Sequence, residues 1–186
     1  MNAYLEISLF PDPDFLPTTL MNALFSKLHR GLVTYGQQNI GVSFPDSGNS
    51  ATLGARLRLH GKDNDLARLM ELGWMTGMRD HASVGEITLV PPHAKHWVVR
   101  RVQAKSNPER ERRRLILRKN VSAEVARQVI PDSTARRLRL PYFVLTSQST
   151  GQQFRLFIEH LPPQEQAVEG KFGAYGLSSV ATVPWF

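Results

Sequence analysis

The chain has 186 residues, of which 41% are hydrophobic, enough for a folded core in one large domain or two small ones. It contains no cysteine, which excludes disulfides, zinc–thiolate sites and thiol chemistry and fits a cytoplasmic protein. The formal charge of +7 favours an anionic partner. We expect no membrane partner, because no apolar run approaches a membrane span and the N-terminus has no signal-peptide pattern.

The N-terminal half predicts the element order strand, helix, strand, strand, helix, strand. Apolar and polar residues alternate in the strands, as at Leu5, Ile7 and Leu9, and apolar residues recur at helical spacing in the helices. The strands are predicted at residues 5–9, 40–44, 57–59 and 87–89, and the helices at 18–30 and 65–70. Gly31 lowers helix propensity near the end of the first helix. This order predicts an α+β fold with a ferredoxin-like (βαββαβ) domain over residues 1–92.

The C-terminal half, residues 93–186, predicts a second α+β domain that carries an arginine-rich helix at about 108–119. A short helix is predicted over residues 122–129. Two β-rich runs, at 142–146 and 154–158, enclose a polar stretch and indicate a β-hairpin with a polar tip.

The excess charge of the chain lies in the arginine-rich segment. Residues 100–119 contain nine of the 23 Lys and Arg residues but only two of the 16 acidic ones. Pro108 suits the first helical position, and Ser106 or Asn107 can cap it. At about 100° per residue, one helix face carries Arg110, Arg113, Arg114 and Arg118. Arginine forks match phosphate oxygens and stack on bases, which favours nucleic acid over a merely solvated charged face.

The sequence offers no recognisable metal or cofactor motif. His93 and His96 lie three residues apart, but they follow two prolines and have no matching pair of ligands elsewhere. Neither paired carboxylates nor a phosphate-binding glycine loop is present. Any catalysis is therefore expected to need neither metal nor cofactor and to use His, Ser, Tyr, Arg or Lys.

Several short runs, in order along the chain, carry a resemblance to a known family. They are Arg101-Val102-Gln103-Ala104-Lys105-Ser106-Asn107-Pro108-Glu109-Arg110, Ser147-Gln148-Ser149-Thr150-Gly151-Gln152, and the ending from Tyr175-Gly176-Leu177 to Pro184-Trp185-Phe186. With Gly41-Val42-Ser43-Phe44-Pro45-Asp46 and Leu28-His29, they resemble the Csy-type, type I-F CRISPR repeat-processing endoribonucleases of the Cas-six superfamily.

The resemblance implies a metal-independent enzyme that recognises the CRISPR repeat stem-loop by sequence and structure. It implies cleavage of the precursor RNA at the base of the stem. There the 2′-OH attacks the adjacent phosphate and leaves a 2′,3′-cyclic phosphate and a 5′-OH. It also implies that the product stays bound, that other subunits of the type I-F surveillance complex are partners, and that the protein itself is a monomer.

Four residues match the catalytic positions of the family. His29 matches the catalytic histidine, which we expect to act as general base toward the 2′-OH. Ser147 matches the serine that holds the 2′-OH, with Ser149 as the second candidate, and Tyr175 matches a tyrosine that orients the histidine and the phosphate. Without the resemblance, the alternatives are a helix-end histidine, a polar hairpin tip and a core aromatic.

The resemblance also implies an RNA-binding set. Arg101 and Gln103 match residues that read bases low in the stem, where Arg can bond guanine bidentately and Gln adenine. Phe154 matches an aromatic that stacks on a base beside the cut, although a buried strand residue is the alternative. The implied phosphate contacts are Arg113, Arg114 and Arg118, assisted by Arg110, Arg112 and Lys119. Leu117 departs from the basic pattern expected there.

Three other functions stay open from the residues alone. A non-catalytic binder of RNA hairpins would bind the repeat without cutting it. A basic DNA-binding regulator would bind duplex DNA at least as tightly as hairpin RNA. A ribosome-associated structural protein would bind RNA and form no product.

Overall fold

The computed structural model describes residues 1–47, 52–103, 108–132 and 138–186. The fold is mixed α+β, and every strand pairing within these residues is antiparallel. The chain forms two compact units, of which the first comprises Met1–Val102 and Leu140–Phe186 and the second Gln103–Arg139. The predicted domains, 1–92 and 93–186, do not coincide with these two compact units, and that division stays a prediction. No helix within the described residues is long and apolar enough to cross a membrane.

The first unit begins with a sheet covered by two helices. Its elements are β1 (Ala3–Leu9), α1 (Pro17–Tyr35), β2 (Gly41–Ser43), β3 (Arg56–Gly61), α2 (Asp63–Glu71), β4 (Ala82–Val84) and β5 (Thr88–Leu89). The strand order is β2-β3-β1-β4, and β5 also pairs with β1. The predicted strand at 87–89 is therefore only the short β5, and the sheet position beside residues Ile7 to Leu9 belongs to β4. Three residues are too few to show a strand periodicity.

The first helix passes Gly31 and ends at Tyr35, so the prediction that it ends near Gly31 is wrong. Gly31 is there because the helix packs closely on Trp74: a Cβ at this position would lie 2.9 Å from Trp74 Cγ. Gly36 caps this end of the helix: its φ of 72° is left-handed, and its N–H donates to Leu32 O at 3.0 Å.

The C-terminal strands of the first unit form two further small sheets. They are β6 (Lys95–Trp97), β7 (Val99–Val102), β8 (Tyr142–Thr146), β9 (Gln153–His160) and β10 (Val183–Trp185). The sheet orders are β7-β9-β8 and β10-β6. In β8 and β9, Phe143, Leu145, Leu156 and Ile158 are buried and belong to the same core as the buried face of α1.

The second unit contains two helices, α3 (Pro108–Lys119) and α4 (Ala123–Val129). Ser122 caps α4, where its side chain accepts a hydrogen bond from Val125 N–H at 3.3 Å. Arg112 links the end of α4 to α3, because its guanidinium donates to Ile130 O at 2.7 Å and to Asp132 at 2.6 Å. The predicted caps of α3, Ser106 and Asn107, lie outside the described residues.

Two histidines of the first unit, the buried His60 and the half-buried His160, are held in their neutral form. His60 is fully buried, 2.8 Å from Ser43 Oγ, and burial lowers its pKa to about 3. His160 accepts a hydrogen bond from Phe44 N–H at its Nε2 and contacts Ser47 Oγ at 3.2 Å, and burial lowers its pKa to about 4.

We expect the free energy of unfolding to fall as the pH drops below about 6.5. Below that pH the unfolded chain protonates both histidines, whereas the folded chain protonates neither until about pH 4. Stability that is fully present above pH 6.5 is therefore lost on acidification, by up to about 1.4 kcal/mol per pH unit for each histidine. Urea unfolding at pH 7.0, 6.0 and 5.0 measures the slope. His60→Gln should give a shallower slope, and a flat profile in the wild type would contradict the prediction.

Candidate active site

A cavity of about 380 Å³ in the first unit collects side chains from both halves of the chain. Five of the predicted site residues line this cavity: His29, Ser147, Ser149, Phe154 and Tyr175. His29 stands on α1, the two serines lie in the loop between β8 and β9, Phe154 lies on β9, and Tyr175 lies in the C-terminal segment. The structure thus places all four predicted catalytic side chains around one space.

The packing of β8 along α1 explains why His29 and Ser147 meet. Asn22 Oδ1 accepts a hydrogen bond from Val144 N–H at 3.0 Å, and Phe25 stacks on Phe143 at 3.9 Å between ring centroids. From Asn22 to His29 the helix advances two turns, about 10 Å. From Val144 to Ser147 the strand advances three residues, also about 10 Å. His29 on α1 and Ser147 after β8 therefore lie side by side, at about the same distance from the contact between Asn22 and Val144.

The contacts of His29 determine which ring nitrogen can act as a base. His29 Nδ1 lies 2.8 Å from Ala174 O, and a carbonyl oxygen can only accept, so Nδ1 carries the hydrogen. The neutral imidazole then has its lone pair on Nε2. The ring also stacks on Tyr175, with centroids 4.0 Å apart and planes 14° apart. The imidazole is thus held in one tautomer and one orientation, as a general base requires.

A tight turn positions both partners of the imidazole, Ala174 and Tyr175. Gly176 N–H donates to Gly173 O at 2.8 Å, and Val42 N–H donates to Gly176 O at 3.0 Å. Gly176 has φ 68°, and a Cβ there would lie 2.6 Å from Val42 Cγ1. Only glycine fits this close, left-handed position. Behind Tyr175, the ring of Phe25 lies 6.0 Å away and nearly parallel, which connects the site to the core.

The serines occupy the tip of the β8–β9 hairpin. Ser147 Oγ lies 3.1 Å from Ser149 Oγ and accepts a longer bond, 3.4 Å, from Thr150 N–H. The loop closes through Ser147 N–H to Gln152 O at 2.9 Å and through Gly151, whose φ is 66°. Ser147 is half-buried and Ser149 is exposed. Both hydroxyls are available to a substrate group, with Ser147 the more constrained.

Arg101 and Phe154 lie together on the sheet face that borders the cavity. Phe154 is half-buried opposite Leu145, and the Arg101 guanidinium lies 5.9 Å from its ring centroid. Arg101 itself is exposed and pairs with Ile158 in the sheet register. Gln103 follows β7 and is exposed. A base stacked on Phe154 would find a guanidinium beside it.

The residues of the second unit that are predicted to contact phosphates differ in their exposure and in their bonds to other protein groups. Arg113, Arg114, Arg118 and Lys119 are all exposed, and Arg113 also pairs with Glu109 one turn earlier. Arg110 is exposed too. The side chain of Arg112 is only 15% exposed and is already bonded within the unit. Leu117 is 85% exposed on the basic side of the helix.

Two polar residues of α1 that line the cavity were missed by the sequence analysis. Ser26 and Arg30 also line it, and they stand three residues before and one residue after His29 on α1. Helical spacing from His29 would have indicated Ser26, but nothing in the sequence distinguishes Arg30 from other surface arginines. Among the described residues, no three His, Asp or Glu side chains converge as metal ligands.

Comparison with known proteins gives full-length matches. The family model described as "CRISPR-associated protein (Cas_Csy4)" matches residues 4–186. The CRISPR-associated endonuclease Cas6/Csy4 of Pseudomonas aeruginosa (strain UCBPP-PA14) is 54% identical over 187 residues, covering 100% of both chains. The protein of the same name from Escherichia coli (strain UTI89 / UPEC) is 44% identical, also over 100% of both.

A solved structure titled "An RAMP protein binding different RNA substrates" covers 98% of this chain and 99% of its own, at 12% identity. Its TM-score is 0.35, and it supports no conclusion about the site. The family match over residues 4–186 and the 54% identical relative confirm the resemblance drawn from the short runs. The chain belongs to the Cas_Csy4 family of CRISPR-associated proteins.

Proposed function

We propose that this chain is a metal-independent endoribonuclease that cleaves precursor CRISPR RNA at the base of the repeat stem-loop. Both relatives are named CRISPR-associated endonucleases, which supports the endonuclease class. The observation that carries the proposal is the tautomer of His29: Nδ1 is bonded to Ala174 O, which leaves Nε2 as a base in a cavity shared with Ser147.

The proposed reaction uses side chains of this cavity and one proton from solvent. Ser147 holds the 2′-OH of the nucleotide before the cut, and His29 Nε2 accepts its proton as the 2′ oxygen attacks phosphorus. The bond between the 2′ oxygen and phosphorus forms, and the bond from phosphorus to the 5′ oxygen breaks. The leaving oxygen takes a proton from solvent and becomes a 5′-OH, while the upstream product keeps a 2′,3′-cyclic phosphate. Tyr175 keeps the imidazole and the phosphate in line.

Recognition is proposed to involve both compact units. Phe154 stacks on a base beside the cut, and Arg101 and Gln103 read bases low in the stem, because an A-form major groove is too narrow to be read farther along. The exposed arginines of α3 bind stem phosphates. We propose the same layout as the sequence predicts, with a ferredoxin-like domain at 1–92 and an RNA-binding domain at 93–186. The protein would act as a cytoplasmic monomer that keeps its product within the type I-F surveillance complex.

A cleavage assay on the host's own CRISPR repeat hairpin tests the mechanism. All-ribose RNA is compared with RNA that carries one 2′-deoxy at the nucleotide before the cut, both in excess EDTA. We expect only the all-ribose RNA to be cut, to a product with a cyclic phosphate, because the deoxy strand lacks the nucleophile.

Binding of both RNAs provides the control, since removing one hydroxyl should barely change the affinity. Cleavage of the deoxy strand would mean that water is the nucleophile. Loss of cleavage in EDTA would contradict the metal-free mechanism. Tight binding of both RNAs with no cleavage would make the protein a hairpin-binding module.

A further inference from the structure

Arg30 is a cation at the active-site cavity for which the reaction described above has no role. It follows His29 on α1 and lines the same cavity as Ser147 and Tyr175. It also borders a second cavity of about 180 Å³ beside Lys27 and Trp74. The side chain of Arg30 is exposed, so its guanidinium is accessible to a ligand.

Among the described residues, Arg30 has no acidic partner. Neither cavity is lined by Asp or Glu, and Arg30 forms no ion pair with any residue in the described part of the chain. Some other arginines of the first unit are neutralised: Arg58 pairs with Glu6 at 2.8 Å, and Arg100 pairs with Glu159 at 2.7 Å. Lys27, one turn before, is held by Thr76 O at 2.6 Å. A cation left without a counter-charge beside a base and two hydroxyls fits a phosphate group.

We propose that Arg30 contacts a non-bridging oxygen of the scissile phosphate and stabilises the charge that builds up during attack by the 2′ oxygen. This inference rests on the proposed endoribonuclease function. When the 2′ oxygen adds to phosphorus, the phosphoryl oxygens gain negative charge before the 5′ oxygen leaves. A guanidinium that α1 presents at the cavity would stabilise that state more than the ground state, which raises the rate rather than the affinity. Arg30 would then be a catalytic residue alongside His29.

The test compares three variants on the repeat hairpin. Arg30→Gln removes the charge, Arg30→Lys keeps it, and Arg79→Gln is the matched control, since Arg79 is exposed in the same unit and borders neither cavity. Single-turnover cleavage at saturating enzyme gives the rate constant. The Kd for the 2′-deoxy hairpin gives the affinity without cleavage, and thermal melting checks the fold.

We expect Arg30→Gln to lower the rate constant by at least about tenfold, while the Kd changes by less than about threefold. The expected loss is smaller than the roughly 10²- to 10³-fold typical of a charge-stabilising donor, because Arg30 is exposed to solvent. Arg30→Lys should recover part of the rate, and Arg79→Gln should cleave like the wild type. A wild-type rate for Arg30→Gln overturns the proposal, as does an equal loss of rate and affinity, which would make Arg30 a general contact to the strand. If the wild type does not cut the hairpin, both the proposed function and the role of Arg30 are rejected. If the wild type cuts and Arg30→Gln cuts equally fast, only the role of Arg30 is rejected.

Discussion

His29→Ala is expected to slow single-turnover cleavage of the repeat hairpin by about 10²- to 10⁴-fold, the contribution typical of a positioned general base. The change removes the imidazole whose Nδ1 bonds Ala174 O and leaves Nε2 as the base, and no other histidine of the described residues lines the cavity. Affinity for the uncleavable 2′-deoxy hairpin should stay within about threefold, because the imidazole is assigned to proton transfer and not to holding the strand.

His93→Ala is the matched control, since His93 is exposed and lies outside the cavity. Free imidazole added to His29→Ala should restore part of the rate, because the side chain leaves a space of its own size over Tyr175. Cleavage by His29→Ala within threefold of the wild type would remove His29 from the mechanism. It would leave the two serines, Tyr175 and Arg30 as the remaining catalytic candidates.

Replacing Arg113, Arg114 and Arg118 together with Gln is expected to weaken binding of the hairpin by about 10²- to 10³-fold at low salt. Each lost phosphate contact also removes one released counterion, so the slope of log K against log salt should become shallower by roughly one for each arginine. Filter binding at several salt concentrations measures both quantities. The cleavage rate at saturating enzyme should change little, because these residues belong to the second unit and not to the cavity.

Two single variants distinguish phosphate binding by α3 from a general effect of net charge. Arg114→Gln and Arg127→Gln each remove one exposed arginine from the second unit, but only Arg114 lies on α3. If α3 binds the phosphates, Arg114→Gln should weaken binding clearly more than Arg127→Gln. Equal effects would mean that net charge attracts the RNA and that α3 has no special role. An unchanged salt slope in the triple variant would contradict the assignment altogether.

Local patterns predicted the elements that are long and amphipathic. The alternation in β1 and the apolar spacing of α1 are strong because each spans at least seven residues. The end of α1 was mispredicted because the packing of Gly31 on Trp74 is a tertiary contact that outweighs the low helix propensity of glycine. The short strand β4 shows no usable period.

The site was predictable only through resemblance. His29 and Ser147 belong to elements that meet through Asn22 and Val144, and neither of these carries a sequence signal. Likewise, charge patterning could not show that Arg112 bonds Ile130 and Asp132 within its own unit, because both partners lie beyond the helix that contains it. The structure therefore favours a structural role for Arg112, and its predicted RNA contact stays a prediction.

The stacking of His29 on Tyr175 makes the imidazole a natural spectroscopic reporter. Protons held over the face of a phenol ring are shielded by its ring current, so the His29 ring resonances should appear upfield of those of an exposed histidine such as His93. RNA that slides the imidazole off the phenol would move these signals back downfield. RNA that leaves the stack intact would move them little. The NMR signal of one side chain would thus show whether the base is already aligned before its substrate arrives.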